Sequence, residues 1–350
     1  MRAARSPKIY GRTAALTTLL LAALLVSIVV AAGTGAFAIS PGDVIGSIAR
    51  RFGVSTDAGR GMADEVLWRI RFPRVALSVV VGASLGCAGA AMQGTFSNPL
   101  AEPGIVGVSA GASLGAIIAI LTGLTAIGMW ALPSAAFIGG LVTVVAVYFG
   151  ARHDGRTEVV TLVLTGVALN AVVGAVIGLA VFMSDDAELR SITFWTMGSM
   201  AQASWPKVAA ITPLAIIGVI AAIALGNQLD LLSLGEREAR HLGVNVERLR
   251  IAMLGVVAVL SAAAAAVSGT ILFVGLVIPH LVRMIAGPRH RVLLGLSALA
   301  GALVIVLADL VARTIAAPSE LPLGVLTSLV GAPFFLWQLH RTRAAQGGWA

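Results

Sequence analysis

Five histidines, one cysteine and two lysines are the residues from which this chain could build most forms of chemistry, and their spacing argues against each form in turn. His153, His241, His280, His290 and His340 stand apart from one another, none at the i,i+4 spacing of H-E-x-x-H. They fall on or near helix ends and polar segments, where capping or headgroup contact explains them better than ligation of a haem iron. Cys87 is alone inside an apolar run, so no intramolecular disulfide can form. Neither Lys8 nor Lys207 follows a glycine, which removes the phosphate-cradling G-x-x-x-x-G-K-[ST] loop. The expectation is a chain that is not an enzyme, carries no intrinsic cofactor and holds no metal.

The remaining polar residues are placed as if for movement rather than reaction. Ionisable groups inside apolar stretches mark ion pathways in gradient-driven carriers. The interior candidates are Asp309, with the neutral Asn170 and Gln93. Asp309 and Arg313 are four apart and can satisfy one another along one helix face, which favours a structural pair over a proton relay. The longest charged stretch, about 229–250, contains Leu234, Gly235, Glu236, Arg237, Glu238, Ala239, Arg240, His241, Leu242, Gly243 and Val244. Its glycines bracket a helix of about two turns with Glu236 and Arg240 at i,i+4 spacing. Such a segment is either a solvated connector or a grip for a soluble partner. Met183, Met197 and Met200 flank a second polar break and are weak candidates for a soft cavity lining, against ordinary apolar packing.

The elements that position these residues are membrane spans. The chain is 58% hydrophobic and 11% charged, with a mean hydropathy of +0.96, whereas a soluble domain carries about a quarter charged residues. Apolar runs fall at about 13–39, 75–96, 104–124, 127–149, 159–183, 207–226, 250–268, 270–286, 292–312 and 321–339. An all-α polytopic membrane protein of about ten transmembrane helices follows, as one transmembrane domain over 1–350. The first run exceeds the 7–15 residues of a signal-peptide core and reads as a retained span. With the N-terminus inside, fifteen basic residues fall on inside segments and nine outside, so both termini are expected in the cytoplasm. Most of the outside set lies in the loops at about 40–74 and 184–206. The net charge of +8 is therefore a topology signal; with only 5% aromatic residues, no nucleic-acid partner is expected. Gly82 and Gly86, and Gly107, Gly111 and Gly115, repeat at the four-residue spacing that lets helix backbones approach closely in lipid.

The motifs Arg71-Phe72-Pro73-Arg74, VGASLGCAGAAMQGTFSNPLAEPGIVGVSAGASLGA, LGEREARHLGV at 234–244, GLVIPHLVRMIAGPRHRVLLG at 275–295, LADLVAR at 307–313 and ELPLGVLTSLVGAPFFLWQL at 320–339 extend over nearly the whole chain. On these residues it resembles the FecCD-type permeases of ABC importers, which handle iron-siderophores, haem and cobalamin. The resemblance implies a homodimer in the bacterial inner membrane, with a central translocation path between the copies. It further implies two ATPase subunits that bind ATP and dock inside, and an extracytoplasmic substrate-binding protein that docks outside. Leu234 through Val244 then match the ATPase-coupling segment. Arg71, Arg74 and Arg313 match the arginines that pair with carboxylates of the binding protein. Residues 187–200 resemble haem permeases slightly more than cobalamin ones, so haem is favoured over a ferric siderophore as cargo. An ion-gradient-driven carrier of a small solute is the alternative.

Overall fold

The structure is a computed structural model describing residues 7–54, 61–153 and 156–345. Arg2, Arg5 and Arg60 lie outside the described residues, as do the side chains of Lys8, His153, Arg156, His340, Arg341 and Arg343. The chain forms α1 (Pro7–Gly33), α2 (Pro41–Arg51), α3 (Met62–Val66), α4 (Phe72–Thr95), α5 (Val108–Leu121), α6 (Ala131–Ala151) and α7 (Val159–Met183). It continues through α8 (Asp186–Met197), α9 (Trp205–Leu232), α10 (Glu236–His241), α11 (Val246–Ser268), α12 (Val274–Ala286), α13 (His290–Thr314) and α14 (Leu323–Ala345). One departure from all-helical structure is a ribbon at the α6–α7 turn, where β1 (Arg152–His153) pairs antiparallel with β2 (Arg156–Thr157).

Each of the ten apolar runs corresponds to one helix. Seven are long and apolar enough to cross a membrane, while α5, α12 and the described part of α14 are shorter. At 1.5 Å per residue, the 14 residues of α5 rise about 21 Å, short of a ~30 Å hydrocarbon core. The shortfall is filled by irregular backbone that other helices enclose: a 3₁₀ turn at Pro103–Val106 leads into α5, and Phe273 enters α12 with a left-handed φ of 67°. Non-helical backbone at that depth is tolerated only inside protein.

At the centre, α4 packs against α9, α11, α12 and α13. Lipid gives helices no hydrophobic reason to associate, so close backbone approach must supply the attraction. A Cβ on Gly86 would sit 2.1 Å from Ser297 O, and one on Gly82 would sit 2.3 Å from Gly301 O. Across α5 and α6, a Cβ on Gly115 would meet Ala135 O at 2.1 Å. The four-residue glycine spacing is thus a packing seam in both places. By contrast α7 exposes Val160, Leu164, Val172, Val176 and Phe182, an apolar surface left for lipid or for another chain.

The polar breaks carry more structure than their composition suggests. The 40–74 loop folds into α2 and α3, and a π-helical turn at Leu67–Arg71 runs α3 directly into α4. The 184–206 break holds α8, whose N-terminus is closed by a capping box between Asp185 and Glu188.

Candidate functional site

One end of the bundle carries the charged segment. The chain leaves α9 through Ser233–Gly235, where Gly235 has a φ of 118° that only glycine adopts easily. It forms the short α10, turns at Gly243 (φ 87°) and enters α11 at the Asn245 cap. Leu234 and Leu242 are exposed on either side of α10, whereas Ala239 and Val244 are buried beneath it. Arg237, Glu238 and His241 complete the exposed face. The expected pair is present, with Arg240 Nη2 2.9 Å from Glu236 Oε2.

Glu236 also receives a second arginine that sequence spacing did not single out. Arg250, only 2% exposed, places Nη2 2.5 Å from Glu236 Oε1 and donates through Nη1 to the carbonyl of Thr157. Thr157 in turn donates its backbone N–H (3.1 Å) and hydroxyl (2.5 Å) to Glu247, which also accepts from Tyr148 Oη at 3.2 Å. A continuous polar chain therefore joins α10, the first turn of α11, the β2 strand and the end of α6. Beside it, Asp230 accepts from the His290 backbone N–H at 2.8 Å and contacts Nδ1 of its ring at 2.9 Å. This fixes the start of α13 to the last turn of α9.

The other end carries the three arginines, and all three are turned inward. Arg71, 5% exposed, donates Nη1 to Ala32 O (2.7 Å) and Gly33 O (2.8 Å) and Nη2 to Phe37 O. Arg313 donates Nη1 to Thr34 O at 2.9 Å and Nη2 to Ala31 O. Together they satisfy the last carbonyls of α1, which have no intrahelical partner, with positive charge at the negative end of the helix dipole. Arg74 lies between two carboxylates. Its Nε and Nη2 meet Asp309 at 3.0 and 2.8 Å, and its Nη1 and Nη2 meet Glu320 at 2.8 and 2.9 Å. The Asp309–Arg313 approach expected from spacing is longer, at 3.7 Å. Glu320 is 39% exposed, and the hydrogen bond from Arg74 holds its carboxyl below the usual carboxylate range despite partial burial.

The other interior candidates are structural ties. Gln93 donates to Leu276 O at 3.0 Å, and Asn170 donates to Gly104 O at 3.0 Å. The three methionines do not line one surface. Met183 is 74% exposed at the end of α7, Met197 is partly exposed at the end of α8, and Met200 is fully buried in the main core. Met197 borders a cavity of about 510 Å³ with Thr270, Leu272, Gly324 and Leu329, between α8 and α14. Among the described residues no group of three His, Cys, Asp or Glu side chains could hold a metal ion.

Comparison with known proteins adds to this geometry. Residues 21–341 match the model of the FecCD transport family. The hemin transport system permease protein HmuU of Yersinia pestis is 43% identical over 292 residues, covering 81% of this chain and 87% of that one. The cobalamin import system permease protein BtuC of Halobacterium salinarum is 43% identical over 279 residues, covering 79% and 74%. A solved ABC transporter structure, assigned to the metal-chelate type and facing inward, superposes with a TM-score of 0.81 at 32% identity. It covers 92% of this chain and 97% of that one.

Proposed function

This chain belongs to the FecCD transport family, and from that premise we propose that it is the membrane permease of an ABC importer in a bacterial inner membrane, with haem as the favoured cargo. The carrying observation is the full-length similarity to permeases named for hemin and cobalamin transport. Family membership does not favour a gradient-driven carrier. Identity alone does not separate haem from cobalamin, since both relatives stand at 43%; residues 187–200 supply the preference for haem. ATP is hydrolysed by a separate subunit, and this chain contributes the path and the coupling.

In the proposed cycle two copies enclose the path, each with one ATPase subunit at α10. The exposed Leu234 and Leu242 give α10 an apolar grip beside its charges. Motion of α10 reaches α11 through Glu236–Arg250 and reaches the α6–α7 turn through Thr157. At the opposite end a soluble binding protein docks with acidic side chains. Because Arg71, Arg74 and Arg313 are engaged within the chain, docking works by exchange: an incoming carboxylate replaces the half-exposed Glu320 on Arg74, which suits bidentate guanidinium geometry.

The test is uptake into proteoliposomes holding this chain with its ATPase and binding protein, offered haem, a ferric siderophore and cobalamin in parallel. ATP-dependent haem accumulation is expected. Uptake of a different chelate corrects the cargo, and accumulation that ignores ATP but follows an ion gradient overturns the reading.

A further inference from the structure

At the end of the bundle where Trp205 of α9 meets Trp68, a cavity of about 630 Å³ opens between the α5–α6 turn, α8 and the starts of α6 and α9. That volume is in the ~300–1,000 Å³ range of small-molecule sites. Its charged lining consists of Arg190 and Lys207, with no carboxylate among the described residues. Lys207 is 9% exposed and donates to one backbone carbonyl, Gln202 O at 2.9 Å. A buried ammonium with three donors and no counter-charge is costly.

The surrounding backbone adds to the positive field. Leu132 and Pro133 of the first turn of α6, and Lys207 of the first turn of α9, all line the cavity. Neither helix start has a side-chain cap, and the hydroxyl of Ser204, the α9 cap residue, is buried without a partner. Each helix start carries roughly half a positive charge. The C-terminal end of α11 forms the floor and opposes this, but Ser268 O there already accepts from the Ser199 N–H at 2.7 Å. A lysine in the first turn of α9 adds charge where the dipole disfavours it, so an anion relieves both. The lining also includes the apolar side chains of Leu132, Phe194 and Trp195.

We propose that this cavity binds an amphiphilic anion, its phosphate or carboxylate head held by Lys207 and Arg190 and its apolar body lying against Phe194 and Trp195. A membrane phospholipid and the transported chelate both offer that chemistry. The experiment uses the full-length protein in detergent micelles. Native mass spectrometry measures retention of phosphatidylglycerol against phosphatidylcholine of the same chain length, and absorbance follows a parallel titration with haem. Preferential retention of phosphatidylglycerol, at least tenfold, identifies the lipid source; saturable haem binding identifies the chelate. The haem arm rests on the proposed function and the lipid arm does not, and neither needs the ATPase, so failure here is distinct from failure of the transport reading. Whichever anion binds should weaken at least tenfold in Lys207→Gln with Arg190→Gln and persist in Lys207→Arg. Arg190→Gln alone, on an exposed side chain, should weaken binding without disturbing the fold. Retention of neither anion, no preference over phosphatidylcholine, or unchanged binding in the double variant overturns the proposal.

Discussion

Replacing Arg250 by methionine should weaken the protein far more than replacing Arg240 by alanine, although both arginines pair with the same carboxylate. Arg240 is largely exposed, 2.9 Å from Glu236, and an exposed pair of this kind contributes about 0.2–1 kcal/mol. Arg250 is almost fully buried and serves two acceptors. Removing it leaves the carbonyl of the buried Thr157 without that donor, at a cost of about 1–3 kcal/mol, and removes a charged hydrogen bond of about 1.5–3 kcal/mol. The second figure shrinks because Glu236 is 42% exposed and keeps both water and Arg240. A net loss of about 2–4 kcal/mol follows, against about 1 kcal/mol or less for Arg240→Ala. Thermal unfolding in micelles, followed by circular dichroism, would rank the two variants by midpoint. Cargo moved per ATP in reconstituted liposomes would show whether α10 still drives the bundle. Equal midpoints and equal coupling ratios in the two variants would refute the idea that Arg250 ties α10 to the α6–α7 turn.

Arg74→Ala leaves the buried Asp309 facing only the more distant Arg313, so it should cost about 3–5 kcal/mol in detergent unfolding, with partial recovery in Arg74→Ala/Asp309→Ala. No recovery in the double variant would count against the pair as the cause. Glu320 has a lowered folded-state value, so its contribution is present above the ordinary carboxylate pKa and is lost as pH falls through that lowered value. The melting midpoint of wild type should therefore drop toward that of Glu320→Gln on acidification, and a constant gap between them would contradict this. The same variant removes one of the two carboxylates on Arg74 and should tighten docking of an acidic binding protein, most at low salt; weaker docking would argue against the exchange. Gly86→Val should abolish stable folding because its Cβ has only 2.1 Å to Ser297 O, whereas Gly174→Ala, with nothing within 4 Å, should fold as wild type. Comparable expression of monodisperse protein for both variants would be the contrary result.

Hydrophobicity and glycine spacing made the spans and their seams legible, because both properties are local in sequence. Contacts between distant segments were not. Arg250 read as one more charge at the end of the 229–250 stretch, and nothing in spacing tied it to Thr157, 93 positions away. Arg71, Arg74 and Arg313 could be placed at one end of the bundle, but whether a guanidinium faces water or α1 depends on where Ala31 to Phe37 lie. One local signal was passed over: Asp185 and Glu188 have capping-box spacing, enough to start a helix inside what looked like a loop. The segment Leu67–Arg71 gave no such cue, since a π-helical turn has no composition of its own.

The arginine closure of α1 also orders the birth of the molecule. The end of α1 leaves the ribosome early, yet its carbonyls wait for donors encoded later: Arg71 comes 39 residues after Ala32, and Arg313 comes 279 residues after Thr34. At roughly 5–20 residues per second, the second donor arrives about 14–56 s after the first helix. Until then α1 is held by one arginine and by little of its own surface, since much of the helix faces outward. Its final seating is therefore a late event in synthesis, and a chain that stops before α13 leaves its first helix half fastened.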